Sequence, residues 1–330
     1  MTQEPEYIPV QENAANYGLA ELIQRLRDEI RRVILGQDMV IDQVIAALLA
    51  GGHILLEGKP GLGKTHLVNT LAKTFGGASG RIQFTPDLMP SDVTGFRLFD
   101  MKSQTFHLRQ GPVFTNLLLA DEINRAPAKT QAALLEVMQE LQVTIDGETL
   151  KLEPPFMTLA TQNPVEHEGT YPLPEAQLDR FIMKVLIDYP DRTNECEIVT
   201  RASSEIPGAT RQGVALVCGP REIVAAQQAT AAVHVVPDVV SYAVAIAQAT
   251  RDAKAISLGA GTRGAISLVK IGKAYAALEG RGYVTPDDIK CAALPVLRHR
   301  VQLTPEVAIS GQEIDEVLRS IIESVPAPRG

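Results

Sequence analysis

The sequence predicts an α/β protein in which helices cover both faces of a parallel sheet in three layers, followed by a small all-α domain. The first observation is a short apolar run that enters a glycine-rich loop and then a helical pattern, at residues 53–72. The second is a series of further short apolar runs, which are typical of strands covered on both faces. The third is that only helical patterns rich in Ala and Val follow residue 190.

The domain boundaries follow from the same changes in pattern. We expect a flexible polar tail over residues 1–18, an α/β domain over 19–190, an α-helical domain over 191–325 and a frayed end over 326–330. The length of 330 residues is consistent with about two domains.

The composition argues against several classes of protein. Apolar residues make up 45% and charged residues 21%, which argues against disorder across the chain. The net charge of −8 argues against a general nucleic-acid coat protein, which is usually basic. Three isolated cysteines form no CxxC pair, and we therefore expect a reducing, cytoplasmic location. The acidic N-terminus lacks the apolar core of a signal peptide, and no apolar run is long enough to cross a membrane.

The predicted elements begin with two helices. Apolar residues recur at helical spacing over residues 19–33, and the following Gly36 ends this pattern. They recur in the same way over residues 40–49. In the later helical region, Thr285 followed three residues on by an Asp predicts a capped helix start. The five runs predicted as strands lie at residues 53–57, 81–85, 116–120, 156–160 and 182–187.

Two predicted β-hairpins interrupt the alternation of strands and helices. The first lies at residues 96–108, and the second lies at residues 143–152, where Asp146-Gly147 is typical of a type I′ turn. Hairpins inserted into a parallel α/β domain are often functional protrusions, and simple decoration of the sheet edge is the alternative.

Residues 58–65 fit the phosphate-binding motif G-x-x-x-x-G-K-[ST] in full, between a predicted strand and a predicted helix. Glycines let backbone N–H groups turn towards phosphate oxygens, and the following helix presents its positive end to the anion. Lys64 can reach the β- and γ-phosphates, and Thr65 can offer its hydroxyl to Mg²⁺. The residues predicted to bind the nucleotide here are Gly58, Pro60, Gly61, Leu62, Gly63, Lys64, Thr65 and His66.

A later apolar strand ends in two acids, Asp121 and Glu122. At a strand tip beside the phosphate loop, Asp121 can hold Mg²⁺, mostly through water. Glu122 can polarise the attacking water, which favours hydrolysis over transfer to a substrate hydroxyl. An exposed turn is the alternative explanation of such a pair.

Together these residues resemble those of AAA+ ATPases, and within that superfamily the chain is similar to the MoxR family over roughly residues 20–325. The resemblance implies the AAA+ fold with a helical lid, and ATP and Mg²⁺ as cofactors. The stretches that carry it are residues 34–37 (ILGQ), the phosphate loop, 121–127 (DEINRAP), 160–164 (ATQNP) and 173–181 (LPEAQLDRF).

The resemblance also implies roles for individual residues. Asn163 matches the sensor 1 residue, whose amide aligns the lytic water and contacts the γ-phosphate, and a strand-end turn is the alternative. Arg180 matches the arginine finger, which reaches the nucleotide of a neighbouring subunit. A local ion pair with Glu175 or Asp179 is the alternative for Arg180.

Two further nucleotide contacts are implied in the same way. Arg263 matches sensor 2 at the start of a lid helix, where it would contact the nucleotide and report its state to the lid. The family often has Ser where this chain has Gly261. Ile34, Gly36 and Gln37 match the segment that packs against adenine.

For the whole assembly, the resemblance implies a ring, most often a hexamer, that acts on a protein client together with a von Willebrand factor A-domain protein. The two hairpins would face the central pore or the client. Neither reads as a basic strip interleaved with aromatic residues, which favours a protein client over nucleic acid. Three alternatives stay open: a nucleic-acid motor, a scaffold that binds ATP without hydrolysing it, and the ATPase subunit of a metal chelatase.

The other basic residues and histidines are expected to be surface features. No histidine has metal-ligand spacing. The small basic clusters at residues 31–32 and 298–300 are expected to lie in solvent.

Overall fold

The structure, a computed structural model, describes residues 18–59, 61–162, 171–204 and 213–328. Its centre is a five-stranded parallel sheet, and the chain after that sheet is mainly helical, so the predicted fold class is confirmed. The expectation that only helices follow residue 190 was wrong in one detail, because residues 256–258 and 302–303 form a short antiparallel strand pair. All five predicted strands are present. The strands in chain order are β1 (Ile54–Glu57), β2 (Ser79–Gln83), β3 (Gly95–Asp100), β4 (Thr105–Gln110), β5 (Leu117–Asp121), β6 (Gln142–Ile145), β7 (Glu148–Lys151), β8 (Met157–Gln162), β9 (Met183–Leu186), β10 (Ile256–Leu258) and β11 (Gln302–Leu303).

The helices include both that were predicted before the sheet. The first buries Ile23, Leu26 and Ile30, which recur at helical spacing on one face. The helices in chain order are α1 (Leu19–Val33), α2 (Asp38–Leu49), α3 (Lys64–Thr74), α4 (Pro90–Thr94), α5 (Ala128–Glu140), α6 (Glu175–Leu178), α7 (Arg192–Ser204), α8 (Pro220–Ala231), α9 (Pro237–Asp252), α10 (Thr262–Leu278), α11 (Pro286–Leu297), α12 (Pro305–Ile309) and α13 (Ile314–Ser324).

Side chains of the sheet alternate between two cores. In β5, Leu117 and Leu119 pack into the core that contains α1, α2 and α3, whereas Leu118 and Ala120 pack into the core that contains α5. Because both faces are covered, every residue in the interior of the strand is apolar. This is the three-layer arrangement that the sequence predicts.

The sheet has two edges at which its connecting segments collect. The strand order is β2-β5-β8-β1-β9, and all neighbouring strands are parallel. We define the carboxyl edge as the end where the chain leaves these strands, at Glu57, Gln83, Asp121, Gln162 and Leu186. We define the amino edge as the end where the chain enters them, at Ile54, Ser79, Leu117, Met157 and Met183.

The two predicted hairpins form from β3 with β4 and from β6 with β7. The turn residues Asp146 and Gly147 have φ angles of 49° and 84°, as a type I′ turn requires. The first hairpin continues past its predicted end to Gln110. An ion pair between Arg97 and Glu148 joins the two hairpins.

The helical region after β9 packs largely around α10 and α11. Helix α11 begins as predicted, because the Thr285 hydroxyl accepts a hydrogen bond from the Asp288 N–H. Within the described part of the chain, no helix combines the length and the apolar character that a membrane span needs.

The basic cluster at residues 298–300 is buried, and the prediction that it lies in solvent was wrong. His299 is buried, and only 10% of the Arg298 side chain and 2% of the Arg300 side chain are exposed. The two guanidinium groups reach carboxylates and backbone carbonyls where the helical region meets β9. Such partners make the burial of a cation tolerable, and a hydrophobicity pattern does not reveal them.

Candidate functional site

The phosphate loop follows β1 at the carboxyl edge and leads into α3. Gly61 and Gly63 have φ angles of 83° and 76°, a left-handed conformation that favours glycine. A Cβ atom on Gly58 would lie 2.5 Å from the carbonyl oxygen of Ile187, so a larger residue would displace the loop from β9. The left-handed backbone at Gly61 and Gly63 and the close approach at Gly58 therefore explain why glycine stands at these positions.

Lys64 is the first residue of α3 and folds back over the loop. Its Nζ donates to the carbonyl oxygen of Gly58 at 2.6 Å. Burial lowers the pKa of the Lys64 amine, and the nearby charges of Asp121, Glu122 and Glu57 oppose that shift. The cation therefore shares the carboxyl edge with the two predicted acids.

The neighbours of Lys64 frame the same loop. Leu62 packs against the core beneath the loop. Thr65 and His66 lie in the first turn of α3 and are both half-buried. These positions put the Thr65 side chain at the positive end of the helix, where anions are favoured.

Asp121 ends β5 and has partners on two neighbouring strands. Its Oδ1 accepts from the Thr161 hydroxyl of β8 at 2.6 Å. Its Oδ2 lies 2.7 Å from Nη2 of Arg81 on β2. Two partners fix the orientation of this carboxylate at the tip of its strand.

Glu122 is fixed at both its backbone and its carboxylate. Its φ of 56° is uncommon for a residue other than glycine, and such conformations cluster at functional sites. Its N–H donates to the Thr161 hydroxyl at 2.8 Å. Its Oε2 accepts from Nε2 of Gln83 at 2.9 Å and lies 3.1 Å from Nε of Arg125. The carboxylate therefore lies beside β2 at the carboxyl edge.

Thr161 is a site residue that the sequence reasoning missed. It is 1% exposed, and its one hydroxyl donates to Asp121 and accepts from Glu122. It belongs to the ATQNP stretch, but its role depends on β8 lying beside β5, which the sequence alone does not reveal.

The segment predicted to contact adenine also lies at the carboxyl edge. Gln37 Nε2 donates to the carbonyl oxygen of Asp188, which follows β9, at 2.7 Å. Gly36 has a φ of 68°, and a Cβ there would lie 2.9 Å from the Asn194 side chain. Ile34 is partly buried against the core that contains α1. The predicted adenine and phosphate contacts thus belong to one region.

The donor set at this edge fits Mg²⁺. Thr65 and Asp121 offer hard oxygen atoms, which Mg²⁺ prefers, and one or two such ligands suffice when phosphates and water supply the others. The described residues contain no group of three or more His, Cys, Asp or Glu side chains that could hold a metal without a nucleotide. Two predicted site residues, Pro60 and Asn163, lie outside the described residues.

Arg180 lies at the opposite end of the sheet. It lies three residues before the start of β9, and the Ile182 N–H continues the pairing with β1 by donating to the His53 carbonyl oxygen at 2.8 Å. Its Nη1 donates to the carbonyl oxygen of Leu135 in α5 at 2.7 Å. Among the described residues, Asp179 forms ion pairs with other arginines and not with Arg180.

Arg263 lies at the amino edge as well. It stands in the first turn of α10, and its Nη1 is 3.6 Å from Oδ2 of Asp179. Strand β9 pairs with β1 from Met183 opposite Ile54 to Leu186 opposite Glu57. The length of this pairing separates the amino edge from the phosphate loop that follows Glu57. Three residues of strand span about 10 Å, before the loops at either end are counted. The structure thus places Arg180 and Arg263 at the same edge, with Arg180 bonded to α5 and Arg263 paired with Asp179, and it separates both from their own phosphate loop.

Comparisons with known proteins support the same fold. The ATPase family associated with various cellular activities (AAA) matches residues 53–183, and the AAA lid domain matches residues 248–321. The chain is 44% identical to the uncharacterized protein YeaC of Bacillus subtilis, over 94% of this chain and 96% of that protein.

Two further relatives are similar over most of their length. The chain is 40% identical to Chaperone MoxR1 of Mycobacterium tuberculosis, over 93% of this chain and 82% of that protein. The crystal structure of a candidate ATPase from Cytophaga hutchinsonii matches with a TM-score of 0.88 and 40% identity, covering 97% of this chain and 98% of that one.

Proposed function

The chain belongs to the MoxR family of AAA+ ATPases and is an ATP hydrolase, and we propose that it works as a ring, most often a hexamer, that remodels or matures a protein client. ATP and Mg²⁺ are the proposed cofactors, and the cytoplasm is the proposed location. Each catalytic site would lie between two copies of the chain.

The observation that carries this proposal is the separation of the site residues between two edges of one sheet. The phosphate loop and the acids lie at the carboxyl edge, whereas Arg180 and Arg263 lie at the amino edge. An arginine at the amino edge is too far away to stabilise charge on its own chain's nucleotide. If one copy presents its amino edge to the carboxyl edge of the next, the contact is heterologous, and such contacts form a ring when the rotation between copies closes.

The carboxyl edge would bind ATP and activate water. The backbone of the phosphate loop and Lys64 would hold the phosphates, and Thr65 and Asp121 would hold Mg²⁺. Mg²⁺, when bound, neutralises charge that develops on the phosphate oxygens. Glu122 would accept a proton from the attacking water, and Asn163 would align that water.

The amino edge would complete the site of the neighbouring copy. Arg180 would act as the arginine finger, because a delocalised cation suits the charge of the transferring phosphoryl group. The position of Arg263 beside Asp179 supports a sensor 2 that also contacts the neighbour's nucleotide. The interface would then change with the nucleotide state, which is how hydrolysis could be coupled to movement of a client.

The first hairpin supports a protein as the client. The Phe99 and Phe106 rings lie 5.1 Å apart, and apolar surface of this kind marks protein-interaction sites. The large apolar side chains that are exposed on this hairpin and its tip are Leu98, Phe99, Met101, Phe106 and Leu108. A partner with a von Willebrand factor A domain is proposed from the family resemblance.

The experiment that tests this function compares wild type with Glu122→Gln by light-scattering mass and ATP turnover, with and without ATP and Mg²⁺. The proposal expects the variant to bind ATP, to form a ring of several copies and to lose hydrolysis. If both proteins stay monomeric at every nucleotide and protein concentration, Arg180 has no neighbour to reach and the ring proposal fails. If the variant does form a stable ring, that ring can serve as bait for the client.

A further inference from the structure

We propose that Arg300 and Asp179 form a clamp that positions Arg180 and Arg263 as one unit for ATP hydrolysis at a neighbouring copy. This inference rests on the function proposed above, because it takes the two arginines of the amino edge to act on the neighbour's nucleotide. Arg300 and Asp179 are positioning residues in this account, since they act through the other two arginines.

The Arg300 guanidinium binds the backbone on both sides of Arg180. Its Nη2 donates to the carbonyl oxygens of Asp179 at 3.3 Å and of Phe181 at 2.6 Å. Its Nη1 donates to the carbonyl oxygen of Ile182 at 3.0 Å. These bonds fix the peptide groups that flank Arg180, and therefore the point from which the Arg180 side chain extends. A planar guanidinium with five N–H donors can hold these three carbonyl oxygens and still reach other acceptors, whereas they would use all three donors of an ammonium group.

The same guanidinium joins this segment to the lid. Its Nη2 donates to the Ser267 hydroxyl at 3.2 Å, and its Nη1 donates to the carbonyl oxygen of Val296. Ser267 lies one turn after Arg263 on α10. The clamp therefore ties the helix that carries Arg263 to the segment that carries Arg180, so a shift of one arginine would move the other.

The Asp179 carboxylate lies between two cations. Its Oδ1 accepts from Nε of Arg300 at 2.9 Å, and its Oδ2 is 3.6 Å from Nη1 of Arg263. The Arg300 side chain is 2% exposed, and a cation buried to this extent needs such partners. These partners hold the side chain in one conformation. The Arg263 side chain is 54% exposed, so its longer ion pair is weak and leaves it able to contact a phosphate.

The charges around the Asp179 carboxylate leave one excess positive charge. Arg263 and Arg300 carry two positive charges against the one negative charge of Asp179. Beside Arg180, Glu136 and Glu140 line the same cavity, so the excess that favours a nucleotide bound to another copy lies at the exposed Arg263.

A neighbouring pair in the lid offers a matched control. Arg298 Nη2 lies 2.8 Å from Oδ2 of Asp315, and the two side chains are 10% and 14% exposed. Arg298 also reaches β9, because its Nη1 donates to the Lys184 carbonyl oxygen at 3.4 Å. This pair is buried and joins the lid to β9 like the clamp, but none of its hydrogen bonds within the described part of the chain goes to the backbone that flanks Arg180.

The test compares the clamp variants Asp179→Asn and Arg300→Lys with the control variants Asp315→Asn and Arg298→Lys in the full chain. We expect the clamp variants to lower kcat for ATP by about 10- to 100-fold, the cost of a small misplacement at a site, with little change in KM. The control variants should lower the melting temperature to a similar degree and keep kcat near wild type. If equal losses of melting temperature bring equal losses of kcat in both sets, the clamp has only a structural role.

Combined substitutions show whether the clamp acts through the two arginines. In a chain that already carries Arg180→Ala and Arg263→Ala, adding Asp179→Asn should cost no further turnover. A further loss as large as in the wild-type background would overturn the clamp. If Arg180→Ala and Arg263→Ala alone keep wild-type turnover, the proposed function fails. If they lose turnover and the clamp variants do not, only the clamp fails.

Discussion

The two edges of the central sheet are built in different ways. At the carboxyl edge, the functional residues follow directly from the strands that position them, as Lys64 follows β1 and Asp121 ends β5. At the amino edge, Asp179, Arg263 and Arg300 come from distant parts of the sequence and meet where the lid contacts β9. The residues that the proposed function needs in one site therefore lie at two edges that cannot meet within one copy.

Removing the arginine at the amino edge is expected to have the largest effect on turnover. We expect Arg180→Ala to lower kcat by at least about 10³-fold, because arginine fingers contribute on this scale. The measurement is steady-state ATP hydrolysis, with light-scattering mass as the control for assembly. A variant that stays oligomeric and hydrolyses ATP at the wild-type rate would contradict the role of Arg180 at the neighbouring copy's site.

Removing the acid at the carboxyl edge should lower turnover by a comparable or slightly smaller factor than removing the arginine. We expect Glu122→Gln to lower kcat by about 10²- to 10⁴-fold, since the amide cannot accept a proton from water. Binding of a fluorescent ATP analogue should remain, because Lys64 and the phosphate loop are unchanged. Retained turnover would mean that another group activates the water.

Removing the hydroxyl that serves both acids should have a moderate effect. Thr161→Val keeps the shape of the side chain but leaves the Glu122 N–H and the Asp121 carboxylate without their shared partner. We expect kcat to fall about 10- to 100-fold, because two buried hydrogen bonds are lost, with a higher Mg²⁺ concentration needed for half-maximal turnover.

Thr161→Ser is the matched control for that substitution, because it restores the hydroxyl. Its turnover and its Mg²⁺ dependence should return close to wild type. If both Thr161 variants behave alike, the hydroxyl does not position the acids, and the carboxyl edge depends less on β8 than the structure indicates.

Replacing the buried His53 at the amino edge should leave turnover at neutral pH unchanged. The substitution should affect only how much stability the protein loses in acid. His53 Nε2 donates to the Met138 carbonyl oxygen at 2.8 Å, and its Nδ1 accepts from the Thr158 N–H at 3.0 Å. Burial lowers the pKa of His53 to about 4. The unfolded chain binds this proton near pH 6.5 and the folded chain only near pH 4, so His53 lowers the free energy of unfolding as the pH falls between those values.

Denaturant unfolding at pH 7.5 and pH 4.5 measures this effect. His53 accounts for at most about 3 kcal/mol of the difference in wild type. His53→Gln does not titrate, so it should lose less stability than wild type between the two pH values, whatever its stability at pH 7.5. Equal losses in the two proteins would contradict a buried, neutral His53.

The sequence predicts most of the carboxyl edge because each of its motifs is a short run of neighbouring residues. The phosphate loop, the acids at 121–122 and the turn at Asp146-Gly147 each depend on a few neighbouring residues, and the structure places them where those local rules predict. The predicted strands and the two hairpins have the same local origin.

The amino edge could not be predicted in the same way. The pattern of apolar residues gives no sign that Arg300 is buried, since several of its partners, among them Asp179 and Ile182, lie more than a hundred residues earlier. The position of Arg263 depends on how the lid packs, and at the carboxyl edge the role of the Thr161 hydroxyl depends on strand order. These are tertiary facts, and they decide which residues share a site.

The central claim, that a working site needs two copies, is tested most directly by mixing Glu122→Gln with Arg180→Ala. Each variant alone should be nearly inactive, because one lacks the acid and the other lacks the finger. At equal amounts, about a quarter of wild-type turnover should return, since a site works when an intact acid meets an intact finger across a heterologous contact. Turnover of the mixture that only equals the sum of the two variants alone, although light scattering shows mixed oligomers, would contradict the claim.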